Sequence, residues 1–242
     1  MTATAIRTGW RSDRPFFMAM FAILAAIIVS GFGISGADFH FRYGRLPVVL
    51  QVHAAVFSSW VVFLLVQNAL VVRGSIALHR TLGWIGAAIA AVMVVMGVAA
   101  TLYVETHHQV PTFFPYSIFL VMNLVGISVF GALTWAAIAR RRQPDWHKRL
   151  MYCATLVILG AALGRLLPMD AFGDAAPLVL FACVLVLLGV GMAYDRVTRQ
   201  RIHAAYYWGG GAIVGFYLSI PLLAFSPPVQ AIAAALKARG HV

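Results

Sequence analysis

His53, Trp60 and Gln67 recur at seven-residue spacing inside a long apolar run, with Gln51 and Asn68 close by. In a helix that spacing nearly superposes the three side chains on one face. Polar groups are costly in hydrocarbon and tend to be functional there, so this face is expected to look into a helix bundle. The imidazole of His53 suits an axial haem or metal ligand. It equally suits a structural hydrogen bond to Gln51 or to a neighbour such as Asn123. Arg165 stands three residues before Pro168 in a later apolar segment. Its forked guanidinium suits a carboxylate or phosphate ligand, or a pairing with Asp170 or Asp174. His53, Trp60, Gln67 and Arg165 are therefore the expected cofactor-binding set. Connections at the same end carry His40, Glu105, His107 and His108, so a second ligand beside His53 would come from His107, His108 or His40.

Three further histidines share a local design. His79 in LHRTLGW, His147 in WHKRLMY and His203 in IHAAYYW each precede an apolar segment and are followed five positions later by Trp84, Tyr152 and Trp208. Basic and aromatic side chains favour the headgroup layer, which accounts for the pattern without any ligand. The alternative is an inner-side site in which the three imidazoles converge on a metal or an anionic headgroup.

Membrane helices must carry these side chains. Of 242 residues, 62% are hydrophobic and 10% charged, and the mean hydropathy is +0.89, which excludes an ordinary soluble domain. A bilayer core needs about 20 apolar residues per helix. Seven segments meet that length, near 16–36, 47–72, 82–103, 115–139, 150–167, 177–194 and 206–225. The fifth and sixth are short, as expected of tilted or interrupted spans. The expected fold class is all-α, a single integral-membrane domain over residues 1–242 built as a bundle of seven transmembrane helices.

The first segment follows Arg7, Arg11 and Arg14 and imitates a secretion signal. Its apolar run exceeds the roughly 7–15 residues of a signal core, so it is expected to be a retained helix. With the amino terminus inside, the inner side collects these three arginines plus Arg73, Arg80, Arg140, Arg141, Arg142, Lys148, Arg149, Arg196, Arg199 and Arg201. The outer side keeps Arg42, Arg45 and, in the tail, Lys237 and Arg239. That asymmetry puts the amino terminus inside and the carboxyl terminus outside. The net charge of +11 then reflects topology and attraction to anionic lipids of the bilayer, with no nucleic-acid partner implied.

Small residues at spacing four let helices approach closely in lipid. Gly86, Ala90 and Gly97, Gly160 and Gly164, and Gly211, Gly215 and Ser219 are expected to face neighbours. Cys153 and Cys183 lack paired spacing and read as small hydrophobes. The expected spans contain no Asp or Glu for a carboxylate proton relay. The only lysines, Lys148 and Lys237, lie outside the seventh segment, which excludes a retinal Schiff base there. No phosphate-binding loop, nucleophile elbow or HExxH motif occurs.

The stretch VHAAVFSSWVVFLLVQNALV, followed by LHRTLGW and then WHKRLMY, resembles a group of uncharacterised bacterial multi-spanning membrane proteins classed under a predicted-membrane-protein domain of unknown function. The likeness covers residues 45–210, and His-Arg-x-Leu-Gly is its most specific element. Some members carry His-x-His-Ala, and here Gln51 replaces the first histidine while His53 keeps the second. More distantly, the architecture is similar to haem-copper oxidase maturation proteins and di-haem membrane cytochromes. The resemblance implies a multi-pass protein of the bacterial cytoplasmic (inner) membrane and no established reaction.

Two functions fit these residues. One is a redox or redox-assembly protein whose outer half binds haem b, a transition metal or quinone through His53 and Arg165. The other is a non-catalytic membrane component, either a carrier of a small or lipid-like anion or a subunit of a membrane protein complex, in which Arg165 holds the anion or partner.

Overall fold

The structure, a computed structural model, describes residues 13–38, 46–111 and 114–239. Apolar runs become helices because hydrocarbon leaves no partner but the backbone itself for each N–H and C=O. They are α1 (Arg14–Asp38), α2 (Val48–Val72), α3 (Ile76–Thr106), α4 (Tyr116–Ala139), α5 (Pro144–Ile158), α6 (Gly160–Leu166), the short α7 (Met169–Phe172), α8 (Ala176–Arg199), α9 (Ala204–Ala224) and α10 (Pro227–Arg239). No strand occurs among the described residues. Six helices are long and apolar enough to cross a membrane, and a seventh span is reached if α5 and α6, bent by 46° at their junction, are taken as one. The chain is a multi-pass membrane protein.

The fifth segment is thus an interrupted helix, a broken span or a re-entrant loop. At its break the Leu159 N–H turns to the Leu156 carbonyl at 3.3 Å, a tight turn that leaves the regular ladder, and Gly160 follows without a side chain to resist the bend. The sixth segment is a full 24-residue helix rather than a short one. Its polar last turns, Asp195 to Arg199, lie beyond the apolar window. α3 likewise runs to 31 residues and takes in Glu105, so the spans do contain carboxylates, contrary to expectation. The carboxyl-terminal tail forms α10, which packs on α3 and α4.

Arg14, Arg73, Arg80, Arg140, Lys148, Arg149, Arg196 and Arg199 gather at one end of the bundle, here the basic end; the other is the far end. α2, α3, α4 and α5 pack in succession, α9 leans on α4 and α5, and α1 lies against α2 and α6. The core is thickest where α1, α5, α8 and α9 meet. There Tyr152 is fully buried, with Phe17, Phe21 and Tyr206 edge-on at 6.3, 6.1 and 6.4 Å, and its hydroxyl donates to the Leu187 carbonyl at 2.6 Å. Val62, Val95, Trp135, Val186 and Leu222 are exposed, as lipid-facing side chains should be.

Close helix contacts follow the small residues only in part. Gly86 and Gly97 press on Phe63 and Ile127 of the neighbouring helices, and Ala90 is buried. Gly164, Gly211 and Gly215 face open space, and their neighbour-seating role passes to Gly31, Gly209 and Gly210.

Candidate functional site

The far end carries His53 and Arg165, on α2 and α6. His53 is half-buried. Its Nδ1 lies 3.4 Å from the Met96 carbonyl oxygen on α3, and its ring stacks on Phe57 at 4.1 Å. Arg165 is exposed. It donates to the Ala161 carbonyl at 2.8 Å and covers the Phe32 ring at 4.4 Å. It is within electrostatic reach of His53 but pairs with no described carboxylate.

His107 and His108 do not join them. They sit past the end of α3, His107 stacked on Tyr103 at 3.8 Å and His108 3.4 Å from the Tyr116 hydroxyl. Met96 marks the level of His53, so His107 lies roughly 16 Å further along the helix axis. His40 lies outside the described residues. Among the described residues no three His, Cys, Asp or Glu side chains are grouped to hold a metal ion.

Gln67 and Trp60 share the predicted face of α2, yet Gln67 is roughly 21 Å from His53 along the axis at about 1.5 Å per residue. It belongs to a different cluster in the basic half. Trp60 packs edge-on against Phe130 of α4 at 5.5 Å, and one to two turns on towards the basic end stand Gln67 on α2 and Thr134 and Ala137 on α4. The Ala137 carbonyl oxygen lies 2.9 Å from Nδ1 of His147 on α5. The His147 ring meets the His79 ring of α3 at 6.2 Å, nearly perpendicular, and His79 lies against the Gln67 backbone.

Four helices thus carry polar groups into this part of the bundle, and most are unsatisfied. Trp60 Nε1, both side-chain heteroatoms of Gln67, Thr134 Oγ1 and His79 Nδ1 are buried without a hydrogen-bond partner. Such groups destabilise a protein unless something meets them. The His147 contact has a direct chemical consequence. Donating Nδ1–H to a backbone carbonyl leaves the Nε2 lone pair free, which is how a protein presents an imidazole to a metal.

His203 does not complete the trio. Its Nδ1 accepts from the Ala205 N–H at 3.1 Å, capping α9, and its ring rests edge-on against Trp146. Burial and the nearby Arg149 guanidinium hold its pKa below the ordinary value, in keeping with an acceptor that must stay neutral.

Beside these histidines lies a charge cluster the sequence reading did not anticipate. Arg149 and Asp195 are fully buried. They form a two-point pair, Nη2 to Oδ1 and Nε to Oδ2, the latter at 2.8 Å. Arg149 also donates to the Asp145 carbonyl at 3.0 Å. Lys148 reaches Asp13 at 2.7 Å and Asp145 at 2.8 Å, and Arg199 reaches the same two at 2.8 and 2.9 Å. Three carboxylates balance three cations, tying the start of α1 to the start of α5 and the end of α8. Lys148, Arg149 and Arg199 are therefore internal charges, not headgroup anchors. The local signal was the Asp145, Lys148, Arg149 spacing of three and four, and Asp195 with Arg199 at four.

Glu105 is a further buried acid among the described residues. It is fully buried near the far end of α3, and neither carboxylate oxygen has a partner. Burying an ionised carboxylate alone costs several kcal/mol, so Glu105→Gln is expected to leave the melting temperature in detergent unchanged or raise it. A loss above about 1 kcal/mol would show that the carboxylate makes a stabilising bond.

No family model, no curated protein and no solved structure matches this chain.

Proposed function

We propose that the protein is a redox or redox-assembly component of the bacterial inner membrane, with its cofactor seated between α2, α3, α4 and α5 by His79 and His147. The observation that carries this reading is the imidazole pair, 6.2 Å between ring centres, with one ring already oriented through the Ala137 carbonyl. Two nitrogens are too few for a bare ion, which takes about four protein ligands. They suit a centre that arrives with its other ligands, as haem iron does, and such a group would supply one-electron chemistry. Gln67, Thr134 and Trp60 would then meet the polar edge of the bound group, and the surrounding apolar helices would exclude water from it.

The arginine distribution supports an inside amino terminus. After the three internal cations are set against their acids, Arg14, Arg73, Arg80, Arg140, Arg141, Arg142, Arg196 and Arg201 still crowd the basic end. A second reading, a carrier of a lipid-like anion or a subunit of a larger complex, draws on Arg165, whose exposed guanidinium lies over Phe32.

The test is an optical and elemental one. Detergent-purified protein is expected to show a reduced-minus-oxidised absorbance change with stoichiometric iron. His79→Ala and His147→Ala should each abolish it, and His53→Ala should keep it. A colourless, metal-free protein, or a signal that survives both substitutions, overturns the assignment.

A further inference from the structure

The surface between α4, α5 and α9 carries an elongated groove of about 280 Å³. Val129, Leu150 and Ala212 line its floor, and Arg140, Trp146 and Trp208 ring its basic end. From Val129 to Arg140 the groove follows α4 for roughly 16 Å. That is one leaflet's share of a hydrocarbon core about 30 Å thick. Trp208 is 73% exposed at its rim, in keeping with the aromatic belt at the membrane interface.

Charge decides what fits there. The Arg140 guanidinium sits 4.8 Å over the Trp146 ring and pairs with no carboxylate among the described residues. The acids of this end, Asp13, Asp145 and Asp195, are already engaged by Lys148, Arg149 and Arg199. Arg141 and Arg142 follow directly and add like charge. The groove therefore offers an apolar channel of leaflet length ending in unneutralised positive charge. We propose that it seats one anionic phospholipid, an acyl chain on the floor and the phosphate on Arg140. A zwitterionic lipid would bring its own ammonium among the three arginines, and an uncharged isoprenoid would leave Arg140 without an anion.

The test uses the full chain, purified in mild detergent, stripped of lipid and offered phosphatidylglycerol or phosphatidylcholine, with retention read by native mass spectrometry. Wild-type protein should retain one phosphatidylglycerol in preference to phosphatidylcholine. Arg140→Gln should weaken that preference about fivefold, the share of one surface arginine. Ala132→Phe and Ala212→Phe, which fill the channel, should reduce retention of both lipids, with helix content checked by circular dichroism. Equal retention of the two lipids by wild type overturns the proposal. So does an isoprenoid quinone retained in place of the phospholipid, or retention unchanged in all three variants.

Discussion

Replacing Arg149 with alanine is expected to destabilise the protein by about 3–5 kcal/mol, the usual loss when one partner of a buried ion pair is removed. The arginine is fully buried and meets Asp195, also fully buried, at two points. Its removal strands a carboxylate that also accepts from the His203 N–H at 3.1 Å. Asp195→Asn should be less severe, since the guanidinium keeps Asp145 at 3.2 Å and Asp13 at 3.7 Å. Arg149→Met combined with Asp195→Leu should recover most of the loss, because two apolar side chains demand no pairing. Recovery should be incomplete, as the Asp145 carbonyl and the His203 N–H lose partners in the process. Equilibrium unfolding in mixed micelles checks the series, and a single-substitution loss below about 1 kcal/mol would place this pair among weak surface bridges. Arg149 also follows His147 by two positions, so the pair fixes the turn of α5 that presents the imidazole to His79.

Hydropathy made the spans legible because membrane insertion depends on local, additive apolarity. α2 and α4 begin where expected, since Pro47 and Pro115 precede them as caps. The ends of α3 and α8 were underestimated for one reason. Glu105, Asp195 and Arg199 belong to helical turns that fall outside an apolar window yet are buried or paired by other helices. α10 has the weak apolarity of PPVQAIAAALKAR and takes its place from packing on α3 and α4. The ion cluster joins residues 135 and 46 positions apart, a distance over which sequence spacing carries no information. The heptad of His53, Trp60 and Gln67 identified a shared face correctly but said nothing of how far apart along the axis its members act. The three matched histidines likewise stand at helix starts of one end of the bundle, while only the His79 and His147 rings meet, because His203 is occupied as a helix cap.

Glycine placement offers the second large effect. A methyl group added at Gly31 would meet the Ala162 carbonyl oxygen at 2.5 Å. That obstacle is backbone, which cannot rotate aside, and it lies on the helix that carries Arg165. Gly31→Ala is therefore expected to cost about 2 kcal/mol, within the range for overpacking a close contact, by prising α1 from α6. Gly86→Ala should cost less although its methyl group also collides, because the obstacle is the Phe63 ring, which can shift. Gly211→Ala and Gly215→Ala meet nothing within 4 Å and should be neutral or slightly stabilising, as alanine favours a helix by about 1 kcal/mol over glycine. Melting temperatures of the four variants separate the two accounts of small residues. If Gly211→Ala proves as damaging as Gly31→Ala, spacing alone seats the helices and the contact geometry described for α1 and α6 is mistaken. If the ranking holds, the close approach of these backbones is set by which glycine faces a carbonyl, a property that spacing-four patterns cannot encode.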